Sequence, residues 1–155
     1  MRFSTREDIE APIDHVFGAI SDFEGFERQA LRRGAEVQRQ DTYGKPGVGS
    51  QWQLRFPFRG KQRDVEARMT EYDAPNGFRA ETESGGIEGK VALDLVALSP
   101  RRTRLQVSID LKPRSLSARL LIQSLKFARS ILTKRFSNRI WQMAQDIETK
   151  YRAVG

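Results

Sequence analysis

Arg104-Leu105-Gln106-Val107-Ser108-Ile109-Asp110-Leu111-Lys112 alternates polar and apolar side chains without interruption, and a few residues later the rhythm changes. From Ser115 to about Tyr151 there is no Pro or Gly, and Leu121, Leu125, Ala128, Leu132, Phe136, Ile140, Met143 and Ile147 recur at three- and four-residue steps. A period of two belongs to a strand with one face buried, and a period near 3.6 to an amphipathic helix. A half-buried antiparallel strand is thus followed by the one element long enough to cover a sheet. At a rise of 1.5 Å per residue that helix would run about 55 Å, so a bend or an initial break is expected.

Upstream, Trp52, Leu54, Phe56 and Phe58 alternate with Gln51, Gln53, Arg55 and Pro57 in the same way. Val65, Ala67 and Met69, then Phe78, Ala80 and Thr82, then Val91, Leu93 and Leu95 continue the pattern more weakly. Turn signals separate the runs at Lys45-Pro46-Gly47, Arg59-Gly60-Lys61, Pro75-Asn76-Gly77, Ser84-Gly85-Gly86 and Ser99-Pro100-Arg101, which favours a meander of neighbouring strands. Before the meander, residues 2–10 read as a strand with Phe3, Thr5, Glu7 and Ile9 on one face. Pro12 suits the first turn of a helix whose buried face is Ile13, Val16, Phe17 and Ile20. Ser21-Asp22-Phe23-Glu24 reads as a capping box that starts a second short helix ending near Gly34. The predicted order is strand, two helices, six strands and one long helix, an α+β chain forming a single domain over residues 1–155.

Composition agrees with a packed core. Apolar residues are 38% of the 155, and adding Gly brings the share to about 46%, the ordinary globular proportion. There is no Cys, which removes thiol catalysis, cysteine metal sites and disulfides. The N-terminal residues lack the apolar stretch of a signal peptide, and no later run approaches a membrane span, so a cytoplasmic location is expected. The net charge is +7, but its distribution is uneven. Between Asp110 and Asp146 there is no acid, while Lys112, Arg114, Arg119, Lys126, Arg129, Lys134, Arg135 and Arg139 contribute +8. The rest of the chain is nearly neutral, and the excess belongs to the covering helix and its approach.

Several short motifs carry a resemblance. They are Ile9-Glu10-Ala11-Pro12 leading into Val16-Phe17-Gly18-Ala19-Ile20-Ser21-Asp22, Gly47-Val48-Gly49 before a strand, Val65 to Asp73 ending Thr70-Glu71-Tyr72-Asp73, and the closing amphipathic helix. With this element order they resemble the helix-grip superfamily of START-related lipid-transfer, birch-pollen-allergen-like and polyketide cyclase/dehydrase proteins (SRPBCC). The resemblance implies a curved seven-stranded antiparallel sheet gripping the C-terminal helix, with an apolar cavity between them for a lipid, sterol, polyketide or similar ligand. The walls expected for such a cavity are Phe23, Phe26, Trp52, Leu54, Phe56, Met69, Phe78, Leu93, Val107, Leu125, Leu132 and Phe136. Apolar periodicity fits these twelve equally well as ordinary core.

Catalytic signals are sparse. The single histidine, His15, falls just outside the apolar face of its helix and is expected at the surface. No Gly-x-Ser-x-Gly elbow occurs, and Gly47-Val48-Gly49 lacks the third glycine of a dinucleotide loop. No cofactor and no metal site are expected. Glu7 and Arg39 share the phase of inward residues, and Arg135 and Arg139 lie beside the apolar stripe, where snorkelling to solvent is the simplest role. Leu120, Phe127 and Ile131 form a second apolar row on the final helix, with Trp141 outside both. Apolar residues among cations suit transient contact with an anionic membrane through residues 112–139. Nucleic acid is disfavoured, because no aromatic stacking platform interleaves the charges. The leading expectation is a binder or carrier of a hydrophobic small molecule. The alternatives are a cyclase/dehydrase-like enzyme working through Glu7, Arg39, His15 or Tyr72, and an interaction module acting through the basic helix.

Overall fold

The computed structural model of the chain describes residues 1–58 and 60–154. The elements are β1 (Arg2–Ile9), α1 (Ile13–Ile20), α2 (Phe23–Arg32), β2 (Glu36–Gln40), β3 (Gln51–Phe58), β4 (Lys61–Asp73), β5 (Gly77–Ser84), β6 (Ile87–Ser99), β7 (Arg102–Pro113), α3 (Leu116–Phe127) and α4 (Arg129–Val154). The seven strands form one antiparallel sheet in the order β1-β7-β6-β5-β4-β3-β2. This is the α+β helix-grip arrangement, with a meander from β2 to β7 and the first strand returning beside the last.

The period-two reading fixes which residues face the helices. On β1 Phe3 and Ile9 are buried, with Thr5 and Glu7 half-buried between them. Across the sheet Phe3 pairs Ile109, Val91 pairs Ile109 from the other side, and Ala80 pairs Val91, so one row runs over four strands. A bulge between Met69 and Glu71 shifts the register of β4 against β5. It brings Tyr72 opposite Phe78 on the inner face, where its ring meets Phe17 edge-on with centroids 5.5 Å apart. Gly77 turns into β5 at φ +144, and a side-chain carbon there would strike the Leu93 carbonyl. Glycine is the residue that fits both conditions.

Two helix boundaries differ from expectation, and a third follows it. Pro12 is not inside the first turn but caps α1 from an extended conformation. Asp22, not Ser21, caps α2: its carboxylate accepts the Gly25 amide at 3.1 Å, while the Ser21 hydroxyl turns back to donate to the Phe17 carbonyl at 2.6 Å. A donating hydroxyl keeps its acceptor lone pairs, so what takes Ser21 out of capping is its direction, back toward the preceding helix. The long final helix is two, interrupted at Ala128 (φ −102, ψ 16). This is the break that the length anticipates. On α3 the buried face is Ala118 and Ile122, and Leu121, expected in the covering stripe, is 49% exposed.

The helices cover the sheet unevenly. α4 packs on β1 and touches α1, α3 leans on β7, α1 sits over β6 and β7, and α2 reaches β2. The core accordingly gathers at the α1 end: Ile9, Val16, Phe17, Ile20, Met69, Leu95, Leu105 and Val107 with Ile140, Ala144 and Ile147. Two buried polar groups join this core to the chain's first turn. Thr103 donates its hydroxyl to the Ala11 carbonyl at 2.8 Å, and Glu148 accepts the Glu10 amide at 2.9 Å. Glu148 therefore clamps α4 to the end of β1.

Replacing Glu148 by Ala removes the acceptor of the part-buried Glu10 amide, at a cost of about 1 kcal/mol. Urea unfolding of Glu148→Ala and Glu148→Gln checks this, the Gln variant losing less because its amide oxygen still accepts. On the outer face, Arg104 donates to Asp8 at 2.8 and 3.2 Å, and that bond holds the Asp8 carboxyl below its ordinary value. A depressed carboxyl stabilises the fold above the unfolded-state value and loses that contribution as pH falls through the folded one. Asp8→Asn is therefore destabilising at about pH 7, and the penalty shrinks as pH falls below the ordinary carboxylate range, by urea unfolding across a pH series.

Candidate functional site

The twelve residues expected to wall a cavity divide into two groups. Trp52, Met69, Phe78 and Val107 are buried in the core, and Phe23, Leu54, Leu93 and Phe136 pack against it. Here Phe23 meets Trp52 and Phe78 with ring centroids 5.4 and 5.3 Å apart. Phe136 meets Phe3 at 6.1 Å. Phe56, Leu125 and Leu132 are half-buried outside that core, and Phe26 is 40% exposed. One end of the sheet is closed by aromatic packing, and the other keeps its apolar face partly in contact with solvent.

That open end has a definite floor. Leu54 pairs Val65, Ala67 pairs Thr82, and Gly89 pairs Leu111, all on the inner face. Phe56, Val65, Val91, Ile109 and Leu111 are half-buried apolar side chains in these rows. The start of α3 is pressed against the β5–β6 turn: a side-chain carbon on Gly86 would meet Ser115 and Ala118. Leu125 shares the α3 face that carries Ala118 and Ile122, so α3 and the half-buried Leu132 beyond the break supply a roof. The close approaches of α3 and α4 are to β7 and β1, so the half-buried side chains at this end of β3 to β6 are the least covered part of the inner face, a shallow trough.

Arg63 occupies the end of this trough. It pairs Phe56 in register and follows the phase of Val65, Ala67 and Met69, so it belongs to the inner face. Its Nε is buried and has no hydrogen-bond partner. A guanidinium N–H out of water without an acceptor is costly, and a ligand oxygen would relieve that cost. The sequence reading passed over Arg63, although its place in the alternation was visible.

The other candidate groups are engaged or lie elsewhere. Arg39, level with Trp52, is saturated: it reaches Glu27 at 2.6 Å, Asp41 at 3.2 Å and Glu24 at 3.8 Å. Asp41 in turn accepts the fully buried Ser50 hydroxyl at 2.7 Å. This network staples α2 and the loop after β2 over the sheet. His15 is half-buried rather than at the surface, because α4 passes beside it. Its ring lies 4.9 Å from that of Tyr151, and its Nε2 is 3.4 Å from the Ile147 carbonyl, on the α1–α4 seam rather than in the trough. Glu7 is half-buried on the inner face of β1, and no side chain among the described residues pairs with it. Arg135 and Arg139 are exposed, as snorkelling predicts.

The outer face of the sheet carries a separate cleft of about 460 Å³. Its charged lining is Glu66, Arg68, Glu81, Glu83, Glu88, Lys90, Lys112 and Arg114, equal in acids and bases. Arg68 pairs Glu81 at 3.4 Å and Arg114 pairs Glu88 at 2.6 Å. A balanced, internally paired surface selects neither anions nor cations.

Residues 1–148 match the family model described as polyketide cyclase/dehydrase and lipid transport. The chain belongs to this family. Among solved structures, the Zhui aromatase/cyclase from Streptomyces sp. R1128 aligns over 100% of this chain and 98% of its own at 16% identity, with a TM-score of 0.68. The protein TTHA0849 from Thermus thermophilus aligns over 97% and 99% at 14% identity (TM-score 0.67). A START superfamily protein from Mycobacterium smegmatis aligns over 86% and 95% at 17% identity (TM-score 0.56). No curated protein matches the sequence. At these identities the polyketide cyclase/dehydrase and lipid transport proteins share the fold of this chain, a fold suited to hydrophobic ligands, while activity depends on each member's own site.

The two ends of the inner face differ in mutational cost. Phe78→Ala, beneath Phe23, is expected to lose about 3–5 kcal/mol, and Val65→Ala at the open end less than about 1.5 kcal/mol. Chemical denaturation of the two variants checks the contrast.

Proposed function

We propose that the chain binds an amphipathic small molecule, its apolar body lying in the trough over β3 to β6 and an anionic or strongly accepting head meeting Arg63. One observation carries the reading: a mainly apolar inner face left half-buried at one end, with a buried, unpartnered guanidinium nitrogen at its edge. The apolar floor contributes affinity in proportion to the area it withdraws from water, roughly 25 cal/mol per Å². The guanidinium contributes orientation, because a carboxylate or phosphate fits its fork of donors. Lipids and polyketide-like acids satisfy both requirements.

Binding and carriage are favoured over catalysis because the polar groups of the inner face do not assemble a proton-transfer pair. Arg39 is tied to three carboxylates, Tyr72 turns to Phe17, and an arginine does not titrate in the working pH range. General acid–base work needs a titratable group within reach of the reacting atoms.

Displacement of a fluorescent apolar probe by oleate and by its methyl ester tests the proposal. Oleate is expected to bind about tenfold more tightly than the ester, the worth of one charge-assisted hydrogen bond. Arg63→Gln should erase that preference while keeping probe binding. Val91→Trp, which fills the trough, should abolish binding of all three. Absence of probe binding, or an unchanged preference in Arg63→Gln, removes the proposal.

A further inference from the structure

The outer side of α3 is apolar as well. Leu116, Leu120 and Phe127 are 73%, 60% and 95% exposed, and at about 100° per residue they fall on one ridge within about 40° of arc. The buried Ala118 and Ile122 lie on roughly the opposite side. Ile131, 58% exposed, follows just past the break at Ala128. A helix with a single apolar face is explained by its own core; α3 has two, and the second is left exposed by the described residues.

The charges around this ridge are of one sign. Arg119 and Lys126 lie along one side of it, between the ridge and the buried face, and are exposed, and Arg129, Lys134 and Arg135 continue beyond the break. No acid occurs from residue 111 to residue 145, and none of these five cations forms an ion pair with any described residue. The outer sheet face is the contrast, because there nearly every arginine stands beside a carboxylate: Arg55 with Asp64, Arg68 with Glu81, Arg79 with Glu71 and Asp94, Arg104 with Asp8. Uncompensated cations beside a projecting apolar ridge complement a surface that is anionic and gives way to hydrocarbon beneath. A protein groove would have to supply both an apolar slot and a run of acids along its rim, continued past the break.

We infer that the outer ridge of α3, with Ile131, docks on an anionic lipid bilayer, Leu116, Leu120 and Phe127 entering the interface while Arg119, Lys126, Arg129 and Lys134 meet the headgroups. The inference goes beyond ligand binding and does not depend on it. Were both correct, the helix that roofs the trough would also be the helix on the bilayer, and a lipid would pass between them with little exposure to water.

Flotation of the full chain with phosphatidylcholine vesicles, with or without about 30 mol% phosphatidylglycerol, tests docking. The chain is expected to float with the anionic vesicles, to stay behind with the neutral ones, and to be released by salt as the charge term is screened. Leu120→Asp/Phe127→Asp should reduce binding at least tenfold, roughly the loss of two inserted side chains, and Phe127→Leu should preserve it. Arg119→Gln/Lys126→Gln should reduce it about twentyfold, near fivefold per cation. All four side chains are exposed, so urea unfolding and the fluorescent-probe assay should be unchanged in these variants, which separates failure of docking from failure of ligand binding. Wild-type chain that ignores anionic vesicles, binding unchanged in the double Asp variant, or capture by polyglutamate without flotation overturns the inference.

Discussion

The pairing of β1 with β7 is the contact on which the rest of the structure depends. It sets residues 2–9 against residues 103–110, across a separation of about a hundred positions, and every helix is then placed relative to it. Such a closure carries an entropy cost that grows only logarithmically with loop length, so the meander between can be long without much further penalty. What offsets the cost is the burial that follows: α4 can cover Phe3 and Ile9 only once β1 has a neighbour to hold it flat. Glu148 and Thr103 then fix the junction chemically, one at the β1 exit and one on the paired strand. Because α4 is committed to that edge, it cannot also lie over β3 to β5. The open trough follows from where the clamp sits.

The division between a closed and an open end has a second cause, at the opposite edge of the sheet. α2 is held over β2 and β3 by Arg39 and its three carboxylates, and this brings Phe23 onto Trp52 and Phe78. Aromatic pairs of this geometry add roughly 0.5–1.5 kcal/mol each beyond the area they bury. A largely enclosed cation held by several acids is less a source of stability than a device for setting position, since desolvation offsets much of the attraction. Arg39 therefore fits a positioning role for α2 better than a role in ligand chemistry. Arg63, two strands further in, has the inverse character: the same side chain on the same face, but with its buried Nε unanswered.

How far the sequence reveals this depends on the kind of information required. Strands and their faces were legible because alternation is a local property, and Leu105 to Leu111 shows it without interruption. The break in the final helix was legible from length alone. Its position was not, and neither was the rotation that buries Ile122 and exposes Leu121, because both depend on where α3 meets Gly86 and β7. His15 and Glu148 show the same limit from opposite sides. A histidine beside an apolar face reads as exposed until another helix passes over it, and a glutamate one residue after Ile147 reads as surface until an unsatisfied amide from Glu10 needs an acceptor. For the trough the limit is geometric: Phe78 and Val65 obey the same alternation, and only the placement of α2 and α4 makes one a packed core residue and the other a half-open wall.

The charge distribution ties these parts together. A net +7 spread over the surface would favour solubility and little else. Here the body is near neutral because its strands pair their own cations with acids across the outer face, a pattern that cross-strand neighbours support. The excess lies on the one segment that neither the core nor the outer face neutralises. That segment is also where the backbone breaks, at Ala128, and where apolar side chains project on both sides of a helix. A lid of this composition would be a poor choice for a sealed core, since exposed Phe127 and Leu120 add nothing to the stability of the isolated chain. For an element that must cover an apolar trough in water and also meet an apolar, anionic surface outside it, two apolar faces with cations between them meet both demands.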